Sequence, residues 1–195
     1  MKKHNQFEYE RMIVAYHGCD LMVRDKVISG KEPLYKSEKA YDWLGHGIYF
    51  WEHGKDRALQ WAQERKGEAV KTPSVVGALI HLGSCFDLLD TKYTRLLTLA
   101  WPQYIQDLKE QGKPLPENKP ANKSDIDQVI RILDCSMINW TIQQLEKSTG
   151  VQIDSVRGVF PEDEPVFPGS SILKKSHIQI SVRNPDCILG YFLPS

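Results

Sequence analysis

The sequence predicts an α+β fold, because β-rich runs lie at both ends of the chain, helical periodicities are grouped in the middle, and no regular βαβ alternation links them. Its 195 residues suffice for one sizeable core and are few for two ordinary domains, so residues 1–195 are read as a single domain. The first strand is expected at residues 12–16, an apolar run that ends at the glycine of YHGC. LMVRDKVISG then places Leu21, Val23, Val27 and Ile28 at near-helical spacing before Gly30, which predicts a short helix and its stop. KEPLYKSEKAYDWLGHG has proline and glycine punctuation without a sustained period and reads as a long loop or a short helical turn ahead of the strand GIYFWE.

A second helix is expected at about residues 54–65, where Ala58, Trp61 and Ala62 share one face. Residues 77–89, GALIHLGSCFDLL, read as another strand, and amphipathic helices follow at about 91–111 and 124–148. Between those helices GKPLPENKPANK carries three prolines and few apolar residues, the composition of an exposed linker. SVRGVF, HIQISV and ILGYF supply the closing strands, with the charged, proline-rich PEDEPVFPGSS between the first two and no internal repeat anywhere.

Composition narrows the class of function. With 41% hydrophobic and 26% charged residues the chain reads as globular rather than disordered. Its 25 basic residues balance 25 acidic ones, which leaves no global attraction for nucleic acid, although Lys174 and Lys175 could form a local patch. The charged start MKKHNQFEYER lacks a signal peptide's apolar run, and no stretch reaches the roughly 18 apolar residues of a membrane span, so a cytoplasmic protein without a membrane partner is expected. The cysteines Cys19, Cys85, Cys135 and Cys187 are scattered without CxxC spacing and read as reduced, buried thiols, and no metal site is expected. A Rossmann site or P-loop is unsupported, since neither GxGxxG nor GxxxxGK[ST] occurs.

Chemistry-bearing side chains stand out in three segments: AYHG, GHGIYF and HIQISV each set a polar residue among apolar ones. A buried His, Tyr or Gln needs hydrogen-bond partners, so three of them on strands of one sheet are either a polar cleft or a set of satisfied core residues. The order of the motifs resembles the ADP-ribosyltransferases, in the branch shared with poly(ADP-ribose) polymerases and diphtheria-like toxins, whose triad is His, Tyr, Glu. It is similar also to short bacterial toxin-like members of that fold. The likeness covers about residues 12–60 and 155–193; the helices at about 91–148 have no counterpart and read as an insertion.

That resemblance implies split antiparallel β-sheets with flanking helices and NAD as co-substrate, with no metal. His17 would then bond the adenosine-side ribose, Gly18 would offer its backbone to the nicotinamide amide, and Tyr49 would stack on the nicotinamide with Trp61 as a second wall. Ser37 and Asp42 either contact the cofactor or shape the loop. Gln179 falls where the family has Glu; an amide still bonds ribose hydroxyls but is no anionic base, so single-unit transfer is expected rather than polymer synthesis. Glu162 or Glu164 in PEDEP, or His177 two residues before Gln179 and on its face, are further candidates for proton transfer. Either Arg157 or Arg183 could meet the NAD pyrophosphate, but an arginine at a strand end more often makes a structural ion pair, and neither is counted as a site residue.

The activity implied is NAD-dependent mono-ADP-ribosyl transfer to a protein or nucleic-acid acceptor, as in toxin–antitoxin or phage-defence effectors, with a neutralising antitoxin as a possible partner. For nucleic acid, Lys31, Lys36, Lys39, Lys174 and Lys175 are candidate flanking cations. The alternative is a catalytically inactive module of the same fold that binds NAD, ADP-ribose or a protein.

Overall fold

The computed structural model of the chain describes residues 7–67, 69–121 and 127–195. In chain order these form β1 (Glu8–Asp20), α1 (Leu21–Ile28), β2 (Ile48–Glu52), α2 (Lys55–Glu64), β3 (Pro73–Asp87), α3 (Thr91–Glu110), β4 (Asn118–Lys119), β5 (Ile130–Arg131), α4 (Ile132–Thr149), β6 (Ser155–Phe160), β7 (His177–Val182) and β8 (Ile188–Phe192). The α+β class follows directly. Among the described residues no helix is long and apolar enough to cross a membrane.

The main sheet runs β1-β2-β7-β6-β3-β8, and an extra pairing of β1 with β3 closes five of these strands into a ring. In place of two separate antiparallel sheets there is thus one continuous, curved sheet, and one of its pairings, β3 with β6, is parallel. Strand β3 makes the closure possible because it joins both ends of the ring: its earlier residues pair with β1, and Cys85, Phe86 and Asp87 pair with Ser155, Val156 and Arg157. Side chains alternate along a strand, so Phe50, Val76, Ile80, Leu82 and Ile180 meet in one core. The other strand faces are covered by α3 and α4, through Tyr93, Ile138 and Ile142 against Phe86 and Val156, and by α2, through Ala58 against Trp51 and Val75.

Inside this apolar frame sits a buried charge cluster. Arg157, 4% exposed, donates from Nε and Nη2 to the Glu52 carboxylate at 2.5 and 3.1 Å, and from Nη1 to Asp87 at 3.0 and 3.3 Å. One guanidinium therefore ties β2, β3 and β6 together, as its reading as a structural ion pair requires. Arg183 is likewise used within the fold, donating to Asn139 Oδ1 at 3.1 Å. All four cysteines are free and buried, and burial pushes the Cys19 thiol up to about 11, which makes it a poor nucleophile.

Several boundaries differ from expectation. Strand β1 begins at Glu8, because the charged EYER segment is an edge extension whose Glu8 and Tyr9 pair with Ser84 and Gly83. Helix α4 starts at Ile132, not at 124; residues 122–126 lie outside the described residues, and Ile130 and Arg131 form β5. The expected linker supplies the reason. Its Asn118 pairs in β4 with Arg131, and its side-chain oxygen accepts from Leu133 N at 3.0 Å and Asp134 N at 3.3 Å, which caps the first turn.

Candidate active site

The cleft begins where two strands part. β1 and β2 pair only at Ala15 with Glu52 and Tyr16 with Trp51; beyond Tyr16, β1 continues along β3 while β2 follows β7. His17 bridges the gap by donating from Nδ1 to the Tyr49 carbonyl at 2.7 Å. A carbonyl can only accept, so Nδ1 carries the proton and Nε2 keeps its lone pair in the neutral ring. Burial lowers the His17 pKa from its ordinary 6.5, and the bond to Tyr49 offsets this only in part. The imidazole is thus neutral at pH 7 and offers an acceptor.

A cleft of about 690 Å³ opens beside it, within the range of small-molecule sites. His17, Ser37, Asp42, Tyr49, Trp61, Glu162, His177 and Gln179 all line it, from β1, the loop before β2, β2, α2, the loop after β6, and β7. The exception is Gly18. A Cβ there would stand 2.1 Å from the Ala58 carbonyl oxygen, so this glycine lets α2 lie against β1 and lies behind the cleft wall. Gly18→Ala is expected to destabilise the chain by about 1–3 kcal/mol, because the clashing atom is backbone and the whole helix must shift. Urea unfolding checks this; an unchanged midpoint would show that α2 is free to move.

Tyr49 is held from both sides of its hydroxyl, which donates to Gly45 O at 2.8 Å and accepts from Leu44 N at 2.9 Å. The ring is thereby fixed as a wall. Ser37 pairs with Gly47 through both backbone bonds, at 2.8 and 3.1 Å, and Asp42 accepts from Lys39 N at 2.8 Å. Both residues line the cleft and also shape its loop. Burial raises the Asp42 pKa, with the Ser37 hydroxyl and the Lys39 N–H opposing.

Gln179 lies opposite Trp51 on β2 and Gly158 on β6. Its Oε1 accepts from Trp43 Nε1 at 2.6 Å. An indole N–H can only donate, which fixes the amide: the oxygen is committed to Trp43 and the NH₂ remains for the cleft. This position therefore presents donors, where a carboxylate would present an acceptor.

His177 donates from Nδ1 to Lys175 O at 2.6 Å and stacks on Phe160 with ring centroids 5.6 Å apart. Its side chain is 6% exposed, and Nε2 is buried without a partner. Burial lowers its pKa from 6.5, the Arg57 charge adds to that, and Glu162 opposes. Glu162 itself accepts from Arg57 Nη2 with both oxygens, at 3.0 and 2.8 Å, so its carboxylate is held in an ion pair. Glu164 is exposed, paired with Lys174 at 2.6 Å and outside the cleft lining.

Among the lining residues that the sequence analysis did not name are Trp43, Trp51, Arg57 and Phe160. Trp51 carried a signal, since it stands two residues after Tyr49 on the same strand face. Arg57 carried none, because a charged residue early in a helix usually faces water. Trp51 Nε1 and Arg57 Nε are, like His177 Nε2, buried without hydrogen-bond partners. Ala121, Val129 and Ile130 of the insertion also border the cleft.

The two lowered histidines set a pH dependence. In the unfolded chain both protonate near pH 6.5, while in the folded chain they resist until lower pH. Between those values the unfolded state holds more protons, so stability is complete above about pH 6.5 and falls as acid is added through that window. Urea midpoints measured from about pH 7.5 to 5.5 should fall, and less steeply for His177→Gln; identical slopes in both proteins would contradict the assignment. Comparison with family models, curated proteins and solved structures gives no match for this chain, so its function is argued from the cleft itself.

Proposed function

We propose that the chain is an NAD-dependent mono-ADP-ribosyltransferase acting through this cleft. One observation carries the reading: His17, Tyr49, Trp61 and Gln179, drawn from four separate elements, line a single cavity of about 690 Å³. Trp51, Arg57 and His177, each with a buried nitrogen that has no hydrogen-bond partner, add further polar groups to the same lining. Volume and aromatic walls suit a nucleotide.

NAD bound there would supply a ribosyl carbon whose bond to nicotinamide breaks, the electron pair leaving with nicotinamide. The chain's own residues have separable tasks. His17 Nε2 accepts from a ribose hydroxyl and orients it, and the ring of Tyr49, with Trp61, flanks the nicotinamide. Gln179 Nε2–H donates to a ribose oxygen but cannot withdraw a proton. His177 Nε2, neutral and unpartnered, accepts the proton that the acceptor nucleophile loses as it bonds the anomeric carbon. A toxin or phage-defence effector with a neutralising partner is the biological setting this activity suits.

A second reading has its own observation: with Oε1 committed to Trp43, Gln179 offers no acceptor that could stabilise developing positive charge, as an NAD-binding module without catalysis would. Calorimetric titration with NAD, run beside a nicotinamide-release assay, separates the two. Binding with release supports the transferase; binding without release, in the presence of cell extract, supports the module; no binding sinks both.

A further inference from the structure

We propose that the acceptor served by this site is a single-stranded nucleic acid seated on the cleft rim formed by residues 31–47, a proposal that takes its chemical step from the transferase reading above. Tyr35 is 73% exposed and Tyr41 39% exposed, and both line the cleft mouth. Lys31, Lys36 and Lys39 interleave with them, and among the described residues no carboxylate pairs with any of the three lysines. Lys39 Nζ lies 5.7 Å from the centre of the Tyr41 ring. Of the acidic residues in this rim, Glu32 is paired with Lys26 at 2.8 Å, which leaves Glu38 and Asp42, the latter lining the cleft and accepting from Lys39 N. With Glu32 set against Lys26, the three rim lysines face two carboxylates, Glu38 and Asp42, an excess of one positive charge.

The opposite rim is different. Lys174 is paired with Glu164, and Lys175 with Glu64 and Asp163, at 2.6, 3.3 and 3.3 Å, so those two lysines are not available as phosphate contacts. A strand is therefore expected along one side of the cleft only. Flat exposed rings beside unpaired lysines suit a chain whose bases stack and whose backbone is anionic. A duplex fits less well, because its base faces are already stacked on one another. The platform is also held in shape before binding: Leu34, Trp43 and Leu44 are buried, and Ser37 pairs with Gly47. Since Tyr35 and Tyr41 border the same cavity as Gln179 and His177, a base stacked there stands beside the proposed transfer site.

The test is fluorescence anisotropy with a labelled mixed-sequence oligonucleotide, as RNA and DNA single strands and as duplexes, with NAD calorimetry on the same proteins. Single strands should bind more tightly than duplexes, and the tighter of RNA and DNA names the acceptor. Tyr35→Ala should weaken binding about tenfold or more. Lys31→Glu with Lys36→Glu, neither of which lines the cleft, should weaken it similarly, lower the slope of log affinity against log salt by about 1.4, and leave NAD affinity unchanged. Absence of single-strand binding, or variants that bind like the parent chain, overturns the proposal even if NAD binds. Oligonucleotide binding lost in the rim variants, together with no NAD binding, would instead retain the rim and overturn the transferase reading.

Discussion

His17→Ala is expected to lower NAD turnover by about 100-fold or more while leaving the fold intact. The imidazole has two roles that Ala cannot fill: Nδ1–H closes the gap between β1 and β2 on the Tyr49 carbonyl, and the ring, with Nε2 left as an acceptor, lines the cleft. Misplacing a bound group by about 1 Å can cost about 10²-fold in rate, and removing its anchor does at least that. Nicotinamide release at saturating and at low NAD, with circular dichroism as a control on folding, measures the effect. Turnover within a few-fold of the parent would remove His17 from the account.

Arg157→Met should be the most destabilising single change in the sheet. It strands the Glu52 and Asp87 carboxylates, 4% and 6% exposed, without the guanidinium; Arg11, half in solvent, reaches Glu52 only at 3.4 Å. Breaking a buried pair in this way costs about 3–5 kcal/mol, a large part of the roughly 5–15 kcal/mol that holds a domain together. Urea unfolding should show the loss, and adding Glu52→Gln and Asp87→Asn should recover part of it. A loss under about 1 kcal/mol would mean that the cluster is hydrated and contributes little.

The sequence read the fold well where one signal acted alone. Helix α1 runs from Leu21 to Ile28 and α3 from Thr91 to Glu110, as periodicity and punctuation suggested, and β2 and β7 form within the expected segments GIYFWE and HIQISV. It misread α4 because an amphipathic pattern over SDIDQVIRIL is compatible with a helix, and only the distant Asn118 cap shows that the helix begins at Ile132. Ring closure was also hidden, since the parallel pairing of β3 with β6 joins residues about seventy apart and leaves no local mark.

The site was legible to the extent that polar residues interrupt apolar strands: His17, Tyr49, His177 and Gln179 were found in this way, and they share a cleft. Gly18 was read for ligand approach, but it permits the contact with Ala58. Neither the Trp43 bond that orients Gln179 nor the Arg57 pair that neutralises Glu162 could be read, because each joins residues more than 100 positions apart. Such contacts are properties of the fold.

Incubation of the purified chain with NAD labelled in its adenylate moiety and a cell extract, followed by separation of protein, RNA and DNA, tests the central claim most directly. Label is expected in one macromolecular fraction, with matching nicotinamide release, and is lost in His17→Ala and Tyr49→Ala. A chain that neither binds nor consumes NAD, or whose labelling survives both substitutions, would contradict it.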